Sequence, residues 1–400
     1  MGPWYSGWFG VLLGAIVLCA GAMHAEAVTW LPELRLEPRY DDNVLHVPEG
    51  SEDFVTSITP GITIFNRDPV TSYELIGRTG FTSYRRTDAK TSRQDVASLA
   101  FEHRPGKFER FDAHLRYVKS LDPIDFDHGA VTTRSDVANT SVRSNAEFYR
   151  VGAAVEYRRW EYDASELADG SAIDASARLY PLRNDATTGA LEVKHHTLWI
   201  EDQKSLDASY QMVSLRRRHS EALATEYAAG LVQASYGGGV PDESRGAFAF
   251  GLEGSGYDPE TPVTFRLRVA DDIATTVEAS IDLGRDGRSA TLGWDIALDA
   301  LGGLYKVPTL TRGGSIAARD TLYGGQVIDV GGSFGRTRPL HGEGPNVDIV
   351  RATAGVSASI IAWLSGRIGW DYMRQDAPVD GSAAKFNRNR YTLTLTAKPR

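Results

Sequence analysis

From about residue 28 onward the chain alternates apolar and polar residues at every second position, in one segment after another. Leu34, Leu36 and Tyr40 share one parity and Arg35, Glu37 and Arg39 the other. Tyr73, Leu75 and Phe81 alternate with Glu74, Arg78 and Thr82; Phe111, Ala113, Leu115 and Tyr117 with Asp112, His114 and Arg116. Val151, Ala153, Val155 and Tyr157 stand against Glu156 and Arg158, and Val263, Phe265, Leu267 and Val269 against Arg266 and Arg268. Ile368, Trp370 and Tyr372 alternate with Arg367 and Asp371, and the last run sets Tyr391, Leu393, Leu395 and Ala397 against Thr392, Thr394 and Thr396. Successive side chains of an extended strand point to opposite faces, so each run is a strand with one apolar and one polar face. Turn residues such as Asn66-Arg67-Asp68-Pro69 and Gly284-Arg285-Asp286-Gly287 separate the runs, and longer polar connectors lie near 119–136, 164–172, 336–346 and 375–386. Short and long connectors approximately take turns, which describes a meander of antiparallel hairpins. The nearest thing to a helical pattern, Ser220–Ala229, stops at Gly230.

Period two does not name the solvent on each face. A soluble sandwich puts the apolar face in a core; a transmembrane barrel puts it in lipid and the polar face around water. Three features favour the barrel. Full charges recur at mid-strand on the polar face. Tyr and Trp gather toward strand ends, at Tyr40, Tyr84, Tyr117, Tyr157, Trp160, Tyr236, Trp370 and Tyr372, as interfacial girdles require. The strands also run on without a linker, where a sandwich of this size would divide into domains. The expected fold is all-β: an antiparallel up-and-down transmembrane barrel of about 18 strands, within a range of 16–20, at roughly 20 residues per strand and connector. Composition then fits. A mean hydropathy of −0.29 is ordinary for soluble proteins, but it also describes a wall with one wet face. With 42% apolar residues and 10% aromatic ones the chain is not disordered. A net charge of −9 without a basic block argues against nucleic acid as a partner.

The N-terminus reads as an export signal. Phe9–Gly21 is almost wholly apolar yet too short to span a membrane as a helix, and Ala25-Glu26-Ala27 is a small-x-small cleavage pattern. The expected organisation is a signal peptide over 1–27, cut after Ala27, and one barrel domain over 28–400. Leu18 before Cys19 rules out lipidation there, and removal of the signal takes away the one cysteine of the sequence.

Together, the signal, the strand ending in Arg39-Tyr40-Asp41-Asp42-Asn43-Val44, the motif Tyr157-Arg158-Arg159-Trp160-Glu161-Tyr162-Asp163 and the final Asn389-Arg390-Tyr391-Thr392-Leu393-Thr394-Leu395 resemble the outer-membrane β-barrel porins associated with exopolysaccharide export in Gram-negative bacteria. Tyr84-Arg85-Arg86-Thr87-Asp88 is a similar fragment. One departure is the ending Ala397-Lys398-Pro399-Arg400, where outer-membrane barrels usually close on an aromatic residue. The resemblance implies a location in the outer membrane, contact with its lipid and with the barrel-insertion machinery, and a role in polysaccharide export alongside envelope-spanning export proteins.

The residues expected to face the lumen, from strand parity, are Arg35, Glu37, Arg39, Arg78, Arg116, Glu156, Arg158, Arg266, Arg268 and Arg367. No catalytic, metal or cofactor site is expected. There is no G-x-S-x-G nucleophile motif. His195 and His196 point to opposite faces and cannot chelate one ion together. Asp41-Asp42-Asn43 reads as a strand-ending turn, Asp122, Asp125, Asp127 and His128 as a solvated loop, Leu215–His219 as a basic rim, and Tyr236-Gly237-Gly238-Gly239-Val240 as a loop tip. The function expected is a non-enzymatic channel passing a saccharide or exopolysaccharide. Two alternatives stay open: a barrel enzyme acting on lipid or polysaccharide, marked by a Ser or Asp converging with a His, and a soluble exported β-protein with a binding or structural role.

Overall fold

The computed structural model describes residues 28–398, apart from the connecting segments 45–49, 87–91, 121–136, 163–167, 238–240, 257–262, 272–274, 300–307, 341–345 and 377–384 and residues 202, 286–287 and 323–324. Residues 1–27, expected to be a signal peptide, the loop residues Asp122–His128, and Gly238, Gly239 and Val240 lie outside the described residues.

The chain forms twenty strands: β1 (Thr29–Asp41), β2 (Asp53–Arg67), β3 (Thr71–Tyr84), β4 (Ser92–Gly106), β5 (Glu109–Ser120), β6 (Val137–Glu147), β7 (Val151–Tyr162), β8 (Gly170–Arg183), β9 (Thr187–Ile200) and β10 (Gln203–Ser220). The second half continues with β11 (Leu223–Tyr236), β12 (Glu243–Gly256), β13 (Val263–Asp271), β14 (Thr275–Arg285), β15 (Arg288–Asp299), β16 (Thr309–Thr321), β17 (Val327–Pro339), β18 (Val347–Ile361), β19 (Leu364–Asp376) and β20 (Phe386–Ala397). Each pairs antiparallel with its sequence neighbours, and β20 pairs with β1 through Leu36 opposite Leu395 and Tyr40 opposite Tyr391. The sheet is therefore closed and leaves no edge strand, which is what a sheet without water around its rim requires.

Twenty strands stand at the upper end of the expected range and two above its central value. The surplus comes from tight connectors. β4 and β5 are separated only by residues 107–108, β10 and β11 by 221–222, and β18 and β19 by 362–363, so the repeating unit is shorter than expected. The weakly patterned stretch after Thr276 supplies two full strands, β14 and β15. Ser220–Ala229 is the β10–β11 turn and the first half of β11.

Short turns collect at one end of the barrel, together with both termini of the strand array. Connectors such as 42–52 and 121–136 collect at the other. We call these the short-turn end and the long-loop end. Two hairpins at the long-loop end have short connectors, 201–202 between β9 and β10 and 272–274 between β13 and β14. At the closing seam the Asp42 carboxylate accepts the backbone N–H of Asn389 at 2.6 Å and its side-chain amide at 2.8 Å, and the Asn43 amide donates to the carbonyl of Asn387 at 2.9 Å. Asp41-Asp42-Asn43 thus ends its strand, as expected, and also fastens the first strand to the last.

Parity sorts the wall into two faces. Leu34, Ile58, Phe81, Val193, Val213, Leu231, Phe248, Leu292, Ile316 and Ile368 are all exposed and sit on the outer face of ten different strands. An outer face covered in this way costs free energy in water and none in lipid.

Candidate functional site: the inner wall

The ten parity-selected residues share the face opposite the exposed apolar side chains. Arg35 pairs with Glu37, which also accepts the hydroxyl of Thr394 at 3.3 Å. Arg39 is buried. Arg78 reaches Glu33 at 3.3 Å. Arg116 stands between Ser98 and Ser141 in register. Arg158 contacts Asp174 at 3.3 Å and Glu156 at 3.5 Å. Arg266 bridges Glu253 at 3.8 Å and Glu278 at 3.7 Å, and Arg216 extends the line by meeting Glu253 at 2.9 Å. Arg367 forks onto Asp329 at 2.7 and 2.6 Å.

A cavity of about 920 Å³ shows that this face looks inward. Its lining joins Glu156, Arg158, Asp174 and His196 of β7–β9 to Arg268, Glu278 and Asp295 of β13–β15. These strands are not sheet neighbours, so they can share a cavity only across the lumen. Arg143, Arg178 and Lys194 add positive charge to the same space. Most of the partner groups, including Asp174, Arg178, Lys194, Glu278 and Asp295, were not singled out from sequence, though the parity that selects Arg158 and Arg268 selects them too. His196 faces this cavity and meets Asp174 at 2.8 Å, whereas His195 stands on the outer face.

The two ends of the lumen differ. Near the long-loop end the inward side chains are sealed: Asp53, Leu198, Leu206, Val347 and Gln375 are 0% exposed. Near the short-turn end the side chains of Arg216, Arg266 and Arg367 are 54%, 56% and 45% exposed. An apolar cluster built on Trp160, Ala172, Leu198, Leu206, Tyr210 and Tyr236 lines the sealed end, and Leu340 packs against it. Leu340 follows β17, at least five strands away around the ring, so this contact crosses the lumen as well.

That cluster corrects one expectation. Trp160 and Tyr236 are buried on the inner face, and Tyr84 opposes inward Val55. None of the three belongs to an outer girdle. The parity of Arg158 places Trp160 inside, two residues on, and strand-end position alone misassigned it. Tyr40, Tyr117, Tyr157, Trp370 and Tyr372 have the outward parity. The basic run Leu215–His219 reaches the short-turn end, with Arg216 on the inner wall and Leu215 exposed outside. Among the described residues no group of three or more His, Cys, Asp and Glu is arranged to hold a metal ion.

No family model and no curated protein matches the chain. Among solved structures it is similar to OccAB3 of Acinetobacter baumannii, with a TM-score of 0.42 and 8% identity over 92% of this chain and 99% of that one. It is also similar to OccK2 (OpdF) of Pseudomonas aeruginosa in complex with glucuronate, with a TM-score of 0.44 and 9% identity over 93% of this chain and 98% of that one. OpdK of Pseudomonas aeruginosa with vanillate gives a TM-score of 0.42 and 10% identity over 92% of this chain and 98% of that one.

Proposed function

We propose that the chain is an outer-membrane channel that passes saccharide-sized polar solutes. The carrying observation is the mixed-charge cavity between β7–β9 and β13–β15. Arg158, Glu156 and Asp174 on one wall face Arg268, Glu278 and Asp295 on the other. Such a lining offers donors and acceptors on all sides of a polyhydroxylated solute, while opposed charges keep the net field low. A cavity of about 920 Å³ has room for a small sugar. The exposed apolar outer face is the surface for outer-membrane lipid, and the barrel-insertion machinery and export proteins of the envelope are its partners in this reading.

Two measurements test it. After export, heat-modifiable mobility in the outer-membrane fraction is expected, and release into the soluble fraction overturns the membrane reading. In planar bilayers the folded protein is expected to conduct and to be blocked by added saccharide. Absence of conductance overturns the channel.

A further inference from the structure

Among the outward-facing side chains of β9 and β10 is a chemical constellation that a channel does not use. His195 on β9 opposes Ser209 on β10 in register, and its Nδ1 lies 3.0 Å from Ser209 Oγ. Its other ring nitrogen, Nε2, is hydrogen-bonded to Thr197 Oγ1 at 2.9 Å and lies 3.1 Å from Asp207 Oδ1. Thr197 donates its hydroxyl to the same carboxylate oxygen at 3.1 Å, and Lys204 contacts the other oxygen. The register shift between Lys204 and Leu206 is what turns Lys204 onto this face beside Asp207. The imidazole thus has a serine hydroxyl on one ring nitrogen and, on the other, a threonine hydroxyl and the carboxylate to which that hydroxyl donates. This is the arrangement that activates a serine, recognised by geometry and role rather than by a sequence motif.

The surroundings name the substrate. Toward the short-turn end the same outer face carries Leu191, Val193, Val213, Leu215 and Leu231, all exposed. Toward the long-loop end it carries Lys204, Arg159 and Glu161. Ser209 therefore sits where the apolar band gives way to charge, the depth at which a lipid's acyl ester lies. The β9–β10 turn of two residues leaves no long loop of this hairpin to cover the site. Gln211, two residues along the strand, and Gln233, opposite Ser209 on β11, are both exposed on this face and carry amide N–H donors.

We infer that Ser209, His195 and Asp207 form a hydrolytic site for carboxylic esters of membrane lipid on the outer wall of the barrel, separate from the lumen. Ser209 Oγ attacks the ester carbonyl carbon and passes its proton to His195 Nδ1. The Gln211 and Gln233 amides receive the oxyanion. The carbonyl-to-alkoxy C–O bond breaks, the leaving lyso-lipid oxygen takes the proton from His195, and the acyl chain stays on Ser209. Water then attacks the acyl-serine as His195 takes its proton, the acyl–Oγ bond breaks, and Oγ recovers the proton. One ester and one water become one lyso-lipid and one fatty acid.

The test uses the full-length folded protein in mixed micelles of detergent and phosphatidylethanolamine carrying a labelled acyl chain, with barrel folding checked by heat-modifiable mobility. The wild type is expected to release labelled fatty acid and to be tagged at Ser209 by a fluorophosphonate. Ser209→Ala and His195→Ala are expected to lower release on the order of 10³-fold while still running as folded barrels. Asp207→Asn is expected to lower the rate and to change its pH profile, which loss of a merely structural hydrogen bond would not do. Release that persists in the folded Ser209→Ala variant overturns the proposal, as does a folded wild type that neither releases fatty acid nor takes the tag. Tagging without release overturns the assignment of membrane lipid as the substrate.

Discussion

Glu33 and Arg78 form an ion pair at 3.3 Å although a whole strand stands between them. Glu33 belongs to β1 and Arg78 to β3, and both oppose Gly61 of β2 in register. The Arg78 side chain crosses the space that a side chain at 61 would fill: a Cβ there would lie 2.8 Å from Arg78 Cγ. The same device recurs on the far side of the seam, where Arg367 of β19 reaches Asp329 of β17 over Gly355, whose Cβ would lie 2.5 Å from the guanidinium. Glycine thus lets charges on the inner wall pair with the next strand but one, tying three strands together from inside.

Replacing Gly61 by Val is therefore expected to destabilise the barrel by about 1–3 kcal/mol, because Arg78 must leave its groove and Glu33 keeps only Lys398, at 3.0 Å, of its two cationic partners. The check is the temperature at which heat-modifiable mobility is lost. Gly246, whose added Cβ meets nothing within 4 Å, is the control, and the same substitution there is expected to cost much less.

The mixed-charge cavity predicts a selectivity change of defined sign. Arg158→Glu together with Arg268→Glu replaces two positive charges of the lining with negative ones and is expected to raise the cation-to-anion permeability ratio by about tenfold. Glu278→Arg is expected to move it the other way. Reversal potentials under a salt gradient measure both. The shifts should shrink at high salt, since the cavity is open to water and its field is screened.

Parity explains why so much of this was legible and where reading stopped. Alternation around Arg35, Arg158 and Arg266 yields the strands, the two faces and the inner residues with no knowledge of strand order. It does not reveal Gly61 or Gly355, because a glycine carries no sign of its face until the register sets it between Glu33 and Arg78 or beside Arg367. Nor does it reveal that Arg268 and Asp174 share a cavity, which depends on how the closed sheet curves. The Ser209, His195 and Asp207 set was hidden for the same reason: the three are close only through the β9–β10 register. Trp160 stands near a strand end yet points inward, because its parity with Arg158, not its place along the strand, sets its face.

At the short-turn end, Asp68 supplies a pH-dependent feature. Its Oδ1 accepts the backbone N–H groups of Thr71 and Val70, each at 2.8 Å, and these bonds, that of Thr71 foremost, hold the carboxyl below the usual carboxylate range. A carboxyl whose value is lowered by folding contributes stability above its unfolded value, about 3.9, and loses that contribution as pH falls through the folded value. The β2–β3 turn is therefore expected to be equally well supported at pH 7 and pH 5 and to loosen only below about pH 4. Amide exchange at Val70 and Thr71, corrected for intrinsic rates, reads this directly. In Asp68→Ala the protection should be low at every pH.

Leu340 decides how far the long-loop end closes the lumen. Its backbone N–H donates to the carbonyl of Pro308 at 2.8 Å, which holds it against the start of β16, while its side chain packs on the cluster around Trp160, Leu198 and Tyr210 from the opposite wall. The side-chain contact is one of apolar burial. Leu340→Asp places a charge against side chains that are nearly fully buried, where the indole N–H of Trp160 is one donor against the large cost of burying a carboxylate, so the contact should open rather than rearrange. The expected result is a larger single-channel conductance with little change in ion selectivity, because the charged lining between β7–β9 and β13–β15 is untouched. Leu340→Met, which keeps the volume and the apolar surface, should retain the wild-type conductance. An unchanged conductance in Leu340→Asp would mean that the narrowest point of the path lies at the charged cavity instead, and charge reversal at Arg158 should then change the conductance itself as well as the selectivity.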